Sequence, residues 1–87
     1  MRKRELLGKL ATILTPEDLS RLENIASLQP DKFKFMMPAL EQLYCFYRRG
    51  GPPTNDQGKI DSRWFKNFLK ELHEEYKRSR PWYFDYL

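Results

Sequence analysis

The sequence predicts an all-α fold, a compact bundle of about four helices. Apolar residues recur at three- and four-residue spacing in four separate stretches. No stretch alternates apolar and polar residues as a half-buried strand does, and Pro or Gly stands between the stretches. At 87 residues, 40% hydrophobic and 32% charged, the chain has the size and composition of one globular domain with a thin core. Residues 1–87 are therefore read as a single helical domain with a long loop at 50–60 and a C-terminal tail at 79–87. The 15% aromatic content has an ordinary use in such a core, because each large ring buries on the order of 150–250 Å².

Leu6, Leu7, Leu10, Ala11, Ile13 and Leu14 share one face, which predicts a first helix over about 3–14. Thr15-Pro16-Glu17-Asp18 then reads as a fresh start: Thr15 caps, Pro16 suits the first helical position, and the two acids suit the positive end of the dipole. Leu19, Leu22, Ile25, Ala26 and Leu28 continue this second helix until Gln29-Pro30 ends it. Asp31 is the next expected cap, and Phe33, Met36, Met37, Leu40, Leu43, Tyr44 and Tyr47 recur at helical spacing. Pro38 falls inside that run, so the third helix is expected to be kinked: a short piece near 32–37, then a kink or a restart with Pro38 in a first turn, running to about Arg48. Gly50-Gly51-Pro52-Pro53 stops it. The loop 50–60 exceeds the usual four to six residues, which predicts a mobile or a functional segment. A last helix over 62–78 places Trp64, Phe65, Phe68, Leu69, Leu72 and Tyr76 on one side.

Several function classes are disfavoured at once. The single cysteine, Cys45, cannot form an internal disulfide, which suggests a reducing, cytoplasmic setting. Cys45 is expected to be buried between Tyr44 and Phe46, and His73 to lie on a helix surface. Glu5 and Lys9 interrupt what would be the apolar region of a signal peptide, and no run reaches the length of a membrane span. One His and one Cys on different helices, without a phosphate-cradling Gly-rich loop or a nucleophile elbow, provide no catalytic residues and predict no enzyme.

Asn55-Asp56-Gln57-Gly58-Lys59-Ile60-Asp61 followed by Trp64-Phe65 resembles the second half of an EF-hand calcium loop, with Gly58 at the turn glycine and Ile60 at the central hydrophobe. Pro53 and Trp64 stand where the first and last carboxylates belong, so neither a metal nor another cofactor is expected.

Net charge is +4, and it is segmented. Residues 1–10 carry +3, 11–31 carry −3 and 32–49 return to +3. This balance suits either an acidic protein or nucleic acid. The reading favoured by the residues is a small non-enzymatic regulatory or adaptor protein that binds another protein with an acidic surface. Phe35, Trp82, Tyr83 and Tyr86 are its expected anchors, and Arg48, Arg49 and Arg80 its charged rim.

Phe35 is singled out because it lies roughly opposite Phe33 on a helix, so one of the two rings must be exposed or meet another element. The tail Trp82-Tyr83-Phe84-Asp85-Tyr86-Leu87 is singled out because alternate residues of an extended segment face opposite ways. About half of an ordered tail is expected to fold back on the bundle, leaving the rest for a partner or, in a homodimer, a second copy. The alternative is a DNA- or RNA-binding regulator with a helix-turn-helix-like element at 16–48. Its phosphate contacts would come from Arg2, Lys3, Arg4, Lys32, Lys34, Lys77 and Arg78.

Overall fold

The computed structural model describes residues 2–79. Four helices follow one another: α1 (Lys3–Ala11), α2 (Pro16–Leu28), α3 (Pro30–Arg48) and α4 (Ser62–Ser79). Among the described residues no helix is long and apolar enough to cross a membrane. The all-α bundle expected from the spacing is what forms.

Each start has a local cause. Thr15 caps α2, its hydroxyl oxygen accepting the Asp18 N–H at 3.3 Å, with Pro16 at the first helical position. Asp61 caps α4: its Oδ2 accepts the Trp64 N–H at 3.0 Å and its carbonyl accepts the Phe65 N–H at 2.9 Å. At α3 the expected cap, Asp31, gives way to Gln29 as the flanking residue and Pro30 as the first helical one. Pro30 lacks an N–H that would in any case go unpaired there, so it begins a helix as readily as it ends one.

Two expected boundaries are corrected. The first helix ends at Ala11 rather than residue 14, and Thr12–Leu14 form a turn in which Ile13 and Leu14 remain buried. Their burial is what the apolar spacing recorded, and a turn achieves it as well as a helix. The separate piece before Pro38 does not form, because α3 is continuous from Pro30 to Arg48 with Pro38 inside it. Pro38 cannot donate to the Lys34 carbonyl, but both residues lie on the exposed side of the helix, where water can take that carbonyl's bond.

The core combines Leu6 and Leu10 of α1, Leu22 and Ala26 of α2, Phe33, Met36, Leu40 and Leu43 of α3, and Phe65 and Leu72 of α4. Ile60, from the long loop, is fully buried among them. That loop is a hydrogen-bonded clasp. The Ile60 N–H donates to the Ile13 carbonyl at 2.8 Å, across to the α1–α2 turn, and the Lys59 ammonium donates to the Thr12 carbonyl at 2.9 Å. Asn55 Oδ1 accepts the N–H groups of Gln57 and Lys59, Gly58 turns the chain at φ +79°, and the Tyr47 hydroxyl donates to the Gly58 carbonyl at 2.6 Å. The residues that resemble an EF-hand loop thus tie the two helical connections together, and Asp61 is engaged as the α4 cap.

A buried polar contact locks the same end of the bundle. Asp18 is fully buried; its Oδ2 accepts the Ser62 hydroxyl at 2.9 Å, Ser62 Oγ lies 3.3 Å from Thr15 Oγ1, and the exposed Arg21 guanidinium lies 3.7 Å from Oδ1. A carboxylate here sits between the N-terminal ends of α2 and α4, whose dipoles both favour it. Asp18→Ala is expected to lower stability by about 1–3 kcal/mol, because the Ser62 hydroxyl loses its acceptor. Ser62→Ala should cost less, and the double variant less than the sum. Urea unfolding of the four proteins measures this; strict additivity would show that the two side chains do not act together.

Candidate interaction groove

The long surface formed by α3 and α4 carries the aromatic side chains that the core does not absorb. Phe35, Ala39, Gln42, Phe46 and Arg49 are spaced four and three residues apart, so in an unbroken helix they form one stripe along α3. On α4, Trp64 and Phe68 are one turn apart and half-buried. An open groove of about 340 Å³ runs between them, lined by Ala39, Gln42, Phe46, Arg49, Trp64 and Phe68 with Leu43 beneath.

Its rings form a continuous stack. Phe46 and Trp64 lie 6.5 Å apart at 29°, Trp64 and Phe68 5.7 Å apart at 12°, and Phe68 meets the buried Phe65 at 6.0 Å. These separations fall within or close to the range of favourable offset stacking. Phe46 is 41% exposed, yet its ring is held from behind by Gly51: a Cβ added there would overlap Phe46 Cε1, Cζ and Cδ1. The Gly51 N–H donates to the Phe46 carbonyl at 3.0 Å, which keeps this contact in register. An exposed ring fixed on two sides loses little freedom when a partner covers it.

Phe35 lies one helical turn before Ala39, 37% exposed, with its ring 5.4 Å from Tyr76 of α4 at 58°. Phe33 is buried, so of the two opposed rings it is Phe35 that meets another element. Arg49 lines the groove, whereas Arg48 turns to the other side of α3 and lies 6.0 Å from the Tyr44 ring, which Lys9 of α1 approaches at 5.6 Å. Trp82, Tyr83, Tyr86 and Arg80, with the expected ordered tail, lie outside the described residues. Cys45 is exposed rather than buried, because position 45 falls on the solvent side of α3 beside the groove stripe. His73 is half-buried, and its Nδ1 is covered with no hydrogen-bond partner.

The cations considered for nucleic acid are distributed over three helices. Arg2, Lys3 and Arg4 are exposed around the start of α1, Lys34 near the start of α3, and Lys77 and Arg78 in the last turn of α4. Lys32 is only 9% exposed, and burial pushes its amine below the usual lysine value. The link between α2 and α3 is the single residue Gln29, shorter than the three to four residues of a helix-turn-helix. Phe33 and Met36, in the first turns of α3, face the core.

Trp64, Phe68 and Phe46 were not singled out by sequence. A readable signal existed in the four-three stripe Ala39, Gln42, Phe46 and Arg49, which Phe35 joins only when the helix is continuous through Pro38. Comparison with protein-family models, curated proteins and solved structures returned no match.

Gly51→Ala is expected to displace the Phe46 ring at a small cost in stability, because the atoms it meets are the end of a side chain that is 41% exposed and can swing toward solvent. Ring-proton NMR shifts of Phe46 and Trp64 report the displacement. Unchanged shifts would show that Gly51 does not position the ring.

Proposed function

We propose that this protein is a non-enzymatic regulatory or adaptor protein that binds an apolar segment of another protein in the α3–α4 groove. The observation that carries this reading is Phe46, exposed yet fixed between Gly51 and Trp64. Pre-positioned aromatic side chains are typical of interface anchors. Phe46, Trp64 and Phe68 form the floor, Phe35 extends it by a turn, and Arg49 at the lip favours a segment flanked by acidic residues. The lone cysteine, exposed and outside any disulfide, suits a reducing compartment.

A second reading, nucleic-acid binding, is favoured by one feature: the Tyr44 ring lies within reach of both Lys9 and Arg48. Cations around an aromatic face can engage phosphates and a stacked base. A titration with duplex and single-stranded DNA across salt separates the two readings, since phosphate binding weakens linearly on a logarithmic salt scale.

The direct test is a peptide-display selection on the folded protein. Selected peptides should place aliphatic or aromatic residues at helical spacing beside Asp or Glu. Phe46→Ala should weaken them by roughly 30-fold or more, as expected of a central anchor. Its effect on stability should be smaller than that of a buried Phe, because the ring is already 41% exposed. Peptides that bind Phe46→Ala as tightly as the parent would overturn the reading.

A further inference from the structure

The α3–α4 groove carries opposite charges toward its two ends. Phe46 meets Trp64 at one end of the helix pair and Phe35 meets Tyr76 at the other, so α3 and α4 run in opposite directions along it. Trp64 and Phe68 also line a second hollow, of about 270 Å³, with Asn67 and Glu71, so the groove surface continues to Glu71. Arg49 lies one turn of α3 beyond the Phe46–Trp64 contact, and Glu71 lies two turns of α4 from it in the other direction. At 1.5 Å per residue the two charges stand about 15 Å apart along the groove. That exceeds the screening length of about 8 Å at physiological salt, so each acts separately on whatever lies in the groove. Both side chains are exposed, and neither has an ion-pair partner among the described residues. The polar side chains between them, Gln42 and Asn67, are neutral.

The walls decide the conformation of the occupant. Both are helices, and along this stretch they pair their backbone groups internally. An extended segment would turn N–H and C=O groups toward walls that offer them no backbone partner. A helix pairs its own backbone and needs only apolar side chains at i, i+3, i+4 and i+7 to cover the rings. About ten helical residues span the distance from Arg49 to Glu71.

We infer that the occupant of the groove is an amphipathic helix of another protein, with an acidic residue at the end over Arg49 and a basic residue at the end over Glu71. This deepens the binding reading above and rests on it. Arg49 attracts acid at one end while Glu71 repels it at the other, so a helix acidic at both ends fits worse than a dipolar one. A groove of about 340 Å³ suits such a segment better than a whole subunit, whose stable pairing needs about 800 Å² from each partner.

The test uses the full chain and three capped helical peptides of about four turns. They share one leucine face and differ only at their ends: acid at one and base at the other, acid at both, or base at both. The dipolar peptide docks in whichever direction puts its acid over Arg49. The parent should bind it about three- to tenfold more tightly than either uniform peptide, the scale of an exposed ion pair exchanged for a like-charge contact. Arg49→Glu should rank the doubly basic peptide first, and Glu71→Lys the doubly acidic one. Both variants should melt near the parent, because both positions are exposed. Raising the salt should flatten all three rankings.

Equal binding of the three peptides by the parent, or an unchanged ranking in either variant, would overturn the inference. So would a parent that selects displayed peptides but binds none of these helices. Sedimentation of the unliganded proteins covers the remaining occupant: self-association that each variant loses and an equimolar mixture of the two regains would assign the groove to a second copy instead. Phe46→Ala should weaken all three peptides alike, and that result judges the binding reading separately from the ranking.

Discussion

The bundle depends on the meeting of its two connections, where the Ile60 N–H donates to the Ile13 carbonyl and the Ile60 side chain is fully buried. A thirteen-residue connection between α3 and α4 would by itself be an entropic burden and a source of play in α4. Burying one aliphatic side chain contributes about 1.5–3 kcal/mol, and the backbone bond places that side chain in a single register. The remaining ties act on the same segment: Lys59 to the Thr12 carbonyl, Tyr47 to the Gly58 carbonyl, and Asn55 to two amides of its own turn. With the loop fixed, Asp61 is in place to cap α4 and Ser62 to meet Asp18.

The groove inherits its order from that clasp. Trp64 is the third residue of α4, so the position of the helix start is also the position of the ring that stacks on Phe46. Gly51 belongs to the same connection and backs Phe46 from the other side. The loop thus sets both neighbours of the exposed ring, which links a buried isoleucine to the presentation of a surface anchor.

Much of the fold was legible because apolar spacing, capping residues and Pro or Gly punctuation agreed for α2 and α4. The errors arose where a residue admits two local outcomes. Proline reads as a break, yet Pro38 on an exposed face leaves only a solvated carbonyl unpaired and α3 continues. Dividing the helix at residue 38 separates Phe35 from the register of Ala39, Gln42 and Phe46, but those three stay in register with one another, and only the packing of α4 beside them makes a groove. Spacing places Trp64 and Phe68 on one side of the last helix together with Phe65 and Leu72. The bundle covers only part of that face, and long-range closure rather than spacing determines which part. Burial of Ile60 depends on a partner 47 residues away, at Ile13, and no local pattern announces it.

Amide hydrogen exchange at Ile60 tests most directly whether the connection is part of the cooperative fold. Its protection should match that of the slowest amides in α2 and α3, so that it opens only with global unfolding. Exchange at a rate typical of an open surface loop, with α2 and α3 still protected, would contradict this account of how α4 and its aromatic groove are held.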